Sequence, residues 1–227
     1  DGTYKFRAQV SDAAGNSATS NVVTVTVDTA APSRPVITAM DFNSGSTSDR
    51  ITNDATPVLT VTGEAGGKVV LGQNGVPLAT GWTAVETSTP GTYTVTVSTA
   101  LADGGYGVVL FDKAGNYAPP VAGDAGTFLI DTTPPVAGTL ALANFTDTGG
   151  SDTDFTSSDK SFDLALAGNE AGSTVTYQMS TDGGTNWSST LTAQSNVGDG
   201  TYKFRAQVSD AAGNSADRKS TRLNSSH

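Results

Sequence analysis

Oxygen-bearing side chains are the groups in this 227-residue chain whose types and spacing could do chemistry, and they recur in matching sets. Asp28, Glu64, Asp112 and Asn116 form one set, and Asp131, Glu170, Asp210 and Asn214 form another. Such sets suit a hard divalent cation: calcium takes about six to eight oxygen ligands, and extracellular modules often bind it at about 10⁻⁴ to 10⁻³ M. Carboxylates held close together repel one another, so a bound calcium would neutralise each set and fix the segments that carry it. The plainer role for the same residues is local turn geometry, because Asp and Asn side chains hydrogen-bond to nearby backbone. Catalysis finds little to work with. The chain has no cysteine and its one histidine is residue 227, which rules out Ser-His-Asp triads, cysteine nucleophiles and histidine-based metal sites in residues 1–216. A glycosidase-type carboxylate pair is chemically available, but each candidate acid recurs at a turn or linker. That repetition fits a structural role, so no enzyme and no catalytic residue are expected.

The recurrence has a period. Residues 1–18, DGTYKFRAQVSDAAGNSA, return letter for letter at 199–216. A weaker copy, DGGYGVVLFDKAGN at 103–116, halves that interval, and Val27-Asp28-Thr29 with Pro32 is echoed by Ile130-Asp131-Thr132 with Pro134. Each unit is therefore close to a hundred residues, as expected for a repeat architecture. The divisions are residues 1–27 as the last hairpin of one unit, 28–131 as a complete unit, 132–216 as a unit short of its last strand, and 217–227 as a foreign tail. That tail, DRKSTRLNSSH, resembles an in-frame translation of a short-read sequencing adapter and is set aside from fold reasoning. The whole chain carries a net charge of −10. Without the tail, residues 1–216 hold nine Lys and Arg against 21 acids, a net −12. This acidity opposes binding to nucleic acid or anionic membranes, and no stretch approaches the roughly 20 apolar residues of a membrane-spanning helix.

The elements that must position these acids are short strands. Alternating apolar runs occur near 36–40, 58–62, 68–71, 78–83, 92–97, 106–111 and 126–130, separated by Gly, Asp, Asn and Pro clusters. Seven strands in about 100 residues predict an all-β fold of tandem immunoglobulin-like antiparallel sandwiches. In that topology the turns after the second and sixth strands share a pole with the entering linker, which brings each acid set together. The Asp-Gly-x-Tyr motif at Tyr4, Tyr106 and Tyr202 resembles a tyrosine corner, a core anchor whose hydroxyl bonds back to backbone. The 1–27 hairpin is expected to be unstable alone. The last unit is expected to leave a sheet edge open to strand exchange with another molecule.

In order along the chain, Asp49-Arg50-Ile51-Thr52-Asn53-Asp54-Ala55-Thr56-Pro57, Gly63-Glu64-Ala65-Gly66, Ala100-Leu101-Ala102-Asp103-Gly104, Asp112-Lys113-Ala114-Gly115-Asn116 and Ile130-Asp131-Thr132 resemble the bacterial immunoglobulin-like (Big and Bap-type) tandem repeats of large surface adhesins. The final unit is similar to a variant of that repeat carrying Tyr177-Gln178-Met179-Ser180-Thr181-Asp182-Gly183-Gly184 and Trp187. It departs from the middle unit in its first loop, where Asp152, Asp154 and Asp159 stand in place of the Ile-Thr-Asn-Asp string. The resemblance implies secretion, a place in a cell-surface filament, calcium near module junctions, and a contribution to adhesion or biofilm formation. The implied partners are neighbouring repeats of the same chain, with any host or matrix ligand bound elsewhere in the parent protein. Two rival readings use the same chain as a carbohydrate- or receptor-binding module, with Trp82 and Trp187 as stacking platforms, or as an accessory domain of a secreted enzyme. A further acidic region, the loop from Asp41 to Asp54 near Asp103 and Asp131, lacks the ligand register of an EF-hand, and Gly45 falls out of place for one.

Overall fold

The computed structural model describes residues 1–41, 46, 48–121, 123–148, 150–151 and 154–225, and side chains through residue 218. Every element among them is a strand. They fall into two compact units, one of residues 1–41 with 56–129 and one of 42–55 with 130–227.

The first unit begins with strands β1 (Gly2–Phe6), β2 (Gln9–Ser11), β3 (Ser17–Thr19) and β4 (Val23–Val27). They pair as one hairpin, β1 with β4 and β2 with β3, and every residue in it is exposed. A sandwich follows, built from β5 (Val36–Met40), β6 (Ile51–Thr52, in the 42–55 segment grouped above with residues 130–227), β7 (Val58–Thr62), β8 (Lys68–Gln73), β9 (Val76–Pro77), β10 (Trp82–Glu86), β11 (Thr92–Val97), β12 (Gly104–Phe111) and β13 (Thr127–Ile130). Its sheets run β10-β11-β7-β5 and β6-β13-β12-β8-β9.

Period-two alternation explains the layering. In β11, Thr92, Thr94 and Thr96 face outward while Tyr93, Val95 and Val97 are buried. Tyr93 and Val95 stand opposite Val61 and Leu59 of β7, so apolar side chains meet across strands on the inner face. Leu71, Val108, Leu110, Phe128 and Ile130 line the other sheet, and burying each stabilises the fold by about 1.5–3 kcal/mol. One glycine is demanded by close approach: Gly91 has φ +76°, and a Cβ there would stand 2.5 Å from the carbonyl oxygen of Gly63. The fourth strand of the sequence-predicted set starts at Trp82 instead of Leu78. Gly81, at φ +86°, breaks the run, and its carbonyl accepts from the backbone of Ser98 and Thr99.

The second unit comprises β14 (Ala137–Ala143), β15 (Phe162–Asn169), β16 (Thr174–Ser180), β17 (Ser188–Ser189), β18 (Ala193–Gln194), β19 (Gly200–Ser209) and β20 (Ser215–Ser225). Its sheets run β14-β15-β18 and β17-β16-β19-β20. Leu140, Phe162 and Leu164 of one sheet pack with Phe204 and Ala206 of the other, and the rings of Phe162 and Phe204 meet edge to face at 5.6 Å. The expected open edge is not found. The backbone of 215–225 pairs along β19, with Gly200 opposite Ser225 and Ser209 opposite Ser215. Unpaired N–H and C=O groups at an edge take up any chain that can supply a ladder, even one whose side chains do not alternate well.

Candidate functional site

The Asp-x-Ala-Gly-Asn turns are the most regular polar feature. After β12, Oδ1 of Asp112 accepts from the backbone N–H of Ala114 and of Asn116, both at 2.8 Å. Its Oδ2 accepts from Nδ2 of Asn116 at 2.8 Å, and Gly115 supplies the left-handed residue at φ +95°. Asp112 is buried. Burial would push its carboxyl upward, but the amide and N–H donors of Asn116, with those of Gly115 and Ala114, outweigh that and hold it below the usual carboxylate range. Nδ2 of Asn116 also donates to the carbonyl oxygen of Asp28 at 3.0 Å. One turn thereby grips the segment that enters the sandwich.

The second unit repeats this. Asn214 donates its backbone N–H to Oδ1 of Asp210 and its Nδ2 to Oδ2, each at 2.9 Å, and reaches the carbonyl of Asp131 at 2.8 Å. The turn in the opening hairpin has the same internal bonds, from Asn16 to Asp12 at 2.8 Å through both backbone and side chain.

The predicted sets are therefore brought together in part. Asp112 with Asn116, and Asp210 with Asn214, meet the linker, but they meet the carbonyls of Asp28 and Asp131. The carboxylates of those two residues cap their own linker, accepting from Ala30 N–H at 3.1 Å and Thr133 N–H at 3.1 Å. Glu64 is exposed, and its backbone carbonyl accepts from the hydroxyl of Tyr93. Glu170 is also exposed. It does reach the linker, accepting from Val136 N–H at Oε2 (3.3 Å) while its own N–H donates to Val136 O (3.0 Å). Among the described residues, no three acidic side chains gather closely enough to form a metal-binding group. Two oxygens do converge in each unit, Asp28 O with Asp112 Oδ2 and Asp131 O with Asp210 Oδ2, and the amide of the Asn stands at the point they share. An amide offers nitrogen on one side and oxygen on the other, so turning it would add a third oxygen to the pair.

A residue that the sequence does not single out is Glu86. Its carboxylate accepts from Gly91 N–H at 2.7 Å and Gly66 N–H at 3.0 Å, and these bonds lower its pKa. Glu86 thus anchors the Gly63–Gly66 turn in which Glu64 itself stands exposed. Asp182 is similar, held far down by N–H donors from Asn186 and the Ser180 hydroxyl. Both are turn anchors.

The tyrosine corners form where a preceding turn exists. Tyr106 donates to Ala102 O at 2.9 Å and Tyr202 to Gly198 O at 3.0 Å. The tryptophans are half-buried. Trp187 donates to Gly184 O at 3.1 Å, and the guanidinium of Arg205 covers its ring at 4.6 Å. Trp82 donates to Leu78 O at 3.0 Å and lines an open depression with Lys68, Glu86 and Tyr93. The polar ends of Glu86 and Tyr93 are already used on backbone. In the 41–54 loop, Asp49 caps Ile51 N–H at 3.0 Å, and Thr52 O accepts from Asp131 N–H at 2.9 Å. Gly45 lies outside the described residues. In the first loop of the second unit, Asp154 and Asp159 cap the backbone of Thr156 and Ser161, and Asp152 lies outside the described residues.

Among solved structures, titin domains A168–A170 are similar at 12% identity, over 99% of this chain and 75% of that one, with a TM-score of 0.47. Fibronectin(III)-like modules of CbhA from Clostridium thermocellum are similar at 10% identity, over 77% and 87%, with a TM-score of 0.35. No curated protein matches the chain. Two family models, each described as a bacterial Ig-like domain, match residues 31–132 and residues 1–29 with 159–223. The chain belongs to the bacterial Ig-like domains.

Proposed function

We propose that this chain is a spacer segment of a large secreted or cell-surface bacterial adhesin, in which each sandwich grips the linker that enters it. The observation that carries the reading is the duplicated clasp: Asn116 on the carbonyl of Asp28, and Asn214 on that of Asp131. A catalytic or ligand-binding site is needed once, whereas a device that sets linker geometry is needed in every repeat. In this reading the chain has no catalytic role of its own, and it contributes to adhesion or biofilm formation by holding a distal ligand-binding region away from the cell. Calcium is the second part of the proposal. With the Asn amide turned to present its oxygen, the Asn, the linker carbonyl and the turn Asp would supply the first ligands, and a hard cation would stiffen the linker further.

Calorimetry separates the two parts. The chain and an Asn116→Ala/Asn214→Ala variant are unfolded with millimolar calcium and with chelator. The clasp predicts a lower midpoint for the variant in both buffers. Calcium predicts that the intact chain gains more from the metal than the variant does. An intact chain indifferent to calcium removes the metal, and a variant as stable as the parent removes the clasp.

A further inference from the structure

Of the asparagines in the sequence, only Asn74 precedes a glycine. Asn74 and Gly75 form the two-residue loop between β8 and β9, closed by Gln73 opposite Val76 and Gly72 opposite Pro77. Their φ values are +51° and +80°, the pair of left-handed residues that makes a type I′ hairpin turn and that Asn-Gly satisfies well. The fold thus selects, at this tip, a dipeptide whose own backbone can attack its side chain. We propose that Asn74 is a site of spontaneous deamidation and isoaspartate formation, the position at which this chain first ages in water.

The step needs no catalyst. The Gly75 nitrogen gives its proton to hydroxide and attacks Cγ of Asn74. The Cγ–Nδ2 bond breaks, and ammonia leaves with a proton from water, which restores the hydroxide and closes a five-membered succinimide. Water then opens the ring. Breaking the bond between Cγ and the Gly75 nitrogen leaves an aspartyl residue. Breaking the bond between the main-chain carbonyl carbon and that nitrogen leaves an isoaspartyl residue, whose backbone runs through Cγ. Overall, water enters, ammonia leaves and the chain gains one negative charge.

The surroundings favour this asparagine over the others. Glycine presents no side chain to obstruct the attacking nitrogen, and a Cβ built on Gly75 would meet nothing within 4 Å. Both loop residues are exposed, and among the described residues none bonds the Asn74 carboxamide. By contrast, the carboxamides of Asn116, Asn186 and Asn214 each donate to a carboxylate of their own turn, at 2.8, 2.7 and 2.9 Å. Those bonds pin the group that must swing toward the backbone.

The turn sets the rate and feels the result. A type I′ turn has positive ψ at its first central residue, which points the Gly75 nitrogen away from the side chain, so the ring closes from the opened loop. β9 has only two residues, and so short an edge ladder opens at small cost. Aspartate fits the left-handed position that asparagine leaves. Isoaspartate adds one backbone atom to a loop of fixed register. The Gln73–Val76 and Gly72–Pro77 pairs, and the 2.9 Å bond from Leu78 N–H to Leu71 O, then lose their alignment.

The test incubates the folded full chain in mildly alkaline buffer and follows it by isoelectric focusing and peptide mass mapping. Cleavage after Lys68 and Lys113 releases a peptide in which Asn74 is the only asparagine, so a mass gain of OH for NH2 there reports this site. That gain should be at least about tenfold faster than at Asn116, Asn186 or Asn214, a barrier lower by about 1.4 kcal/mol. Asn74→Gly keeps the turn, because Gly-Gly also suits type I′, and should remove the early acidic band. Hydrogen exchange at the Leu78 amide should quicken in the isoaspartyl form and keep its parent rate in the aspartyl form. A mass gain that comes first at another asparagine would overturn the proposal. So would an early acidic band that persists in Asn74→Gly, an Asn74 that stays amidated in the folded chain while a urea-unfolded sample converts, or Leu78 exchange alike in the two products.

Discussion

Residues 1–18 and 199–216 are the same peptide in two environments. In the second, β19 is continuous from Gly200 to Ser209 and its inner face is buried. In the first, the strand divides into β1 and β2, and both faces meet solvent. The hairpin register, the Asp-to-Asn turn and the aromatic stack survive the change. Local sequence therefore dictates turn and register. Continuity and burial come from neighbouring β16 and the opposing sheet, which the first copy lacks.

The comparison is broken most strongly at the shared phenylalanine. Phe204→Ala removes a fully buried ring from the second core and should destabilise that sandwich by about 3–5 kcal/mol. Phe6→Ala, in the same local sequence, should change unfolding by no more than about 0.5 kcal/mol. Denaturant unfolding of the two variants checks this, and equal losses would mean that the opening hairpin has a core of its own.

The shared asparagine gives a smaller contrast. Asn214→Ala loses a charge-assisted bond to Asp210 and leaves the carbonyl of Asp131 without its donor, a cost of about 1–3 kcal/mol. Asn16→Ala loses the turn bond alone. Hydrogen exchange at the linker after Asp131 should quicken in Asn214→Ala, while the linker after Asp28 keeps its parent rate in Asn16→Ala because Asn116 holds it.

How far the sequence reveals this follows the same division. β11 is legible because Thr alternates with Tyr and Val, and β5, β7 and β12 because each is a short run of β-favouring apolar residues bounded by Gly, Pro, Asp or Asn. β6 and β9, two residues each, have no period to read. The start of β10 is hidden because Gly81 interrupts an apolar run that looks continuous on paper. The turns at Asp112 and Asp210 are legible from repetition and composition. Their reach is not, because the donor is an asparagine side chain and the acceptor is a backbone carbonyl more than 80 residues away in sequence. The role of Glu86 is hidden for a similar reason: its hold on Gly66 depends on the crossing of β10 past the turn, and no local pattern encodes that.

The tyrosine corner offers a still smaller contrast. Tyr106 is buried and its hydroxyl bonds Ala102 O, so Tyr106→Phe should lower the stability of the first sandwich by about 1 kcal/mol. Tyr202 is only partly buried at the equivalent bond, and Tyr202→Phe should cost less. A larger loss at Tyr202 would show that the second core depends more on this corner than its exposure suggests.

Acid titration makes the finest contrast. Donors of the turn hold Asp12 and Asp112 below the usual carboxylate range, Asp12 chiefly through the side chain of Asn16, and Asp112 through Asn116 against an opposing burial effect. A carboxyl lowered on folding adds stability that is complete above its unfolded value, about 3.9, and is lost as the pH falls through the folded value. Protonating Asp112 should therefore lower the midpoint of the first sandwich below about pH 4, because Asp112 is buried at the end of β12 and orders the turn that holds the entering linker. Asp12 should also titrate below the usual carboxylate range, with no effect on either midpoint, because its hairpin has no core to release. Carboxyl chemical shifts followed by NMR, alongside melting curves from pH 5 to pH 2 in steps of about half a unit, check both. A midpoint that moved with Asp12 would mean that the exposed copy unfolds together with the sandwich after it, and the division between local register and tertiary burial would then fail at that hairpin.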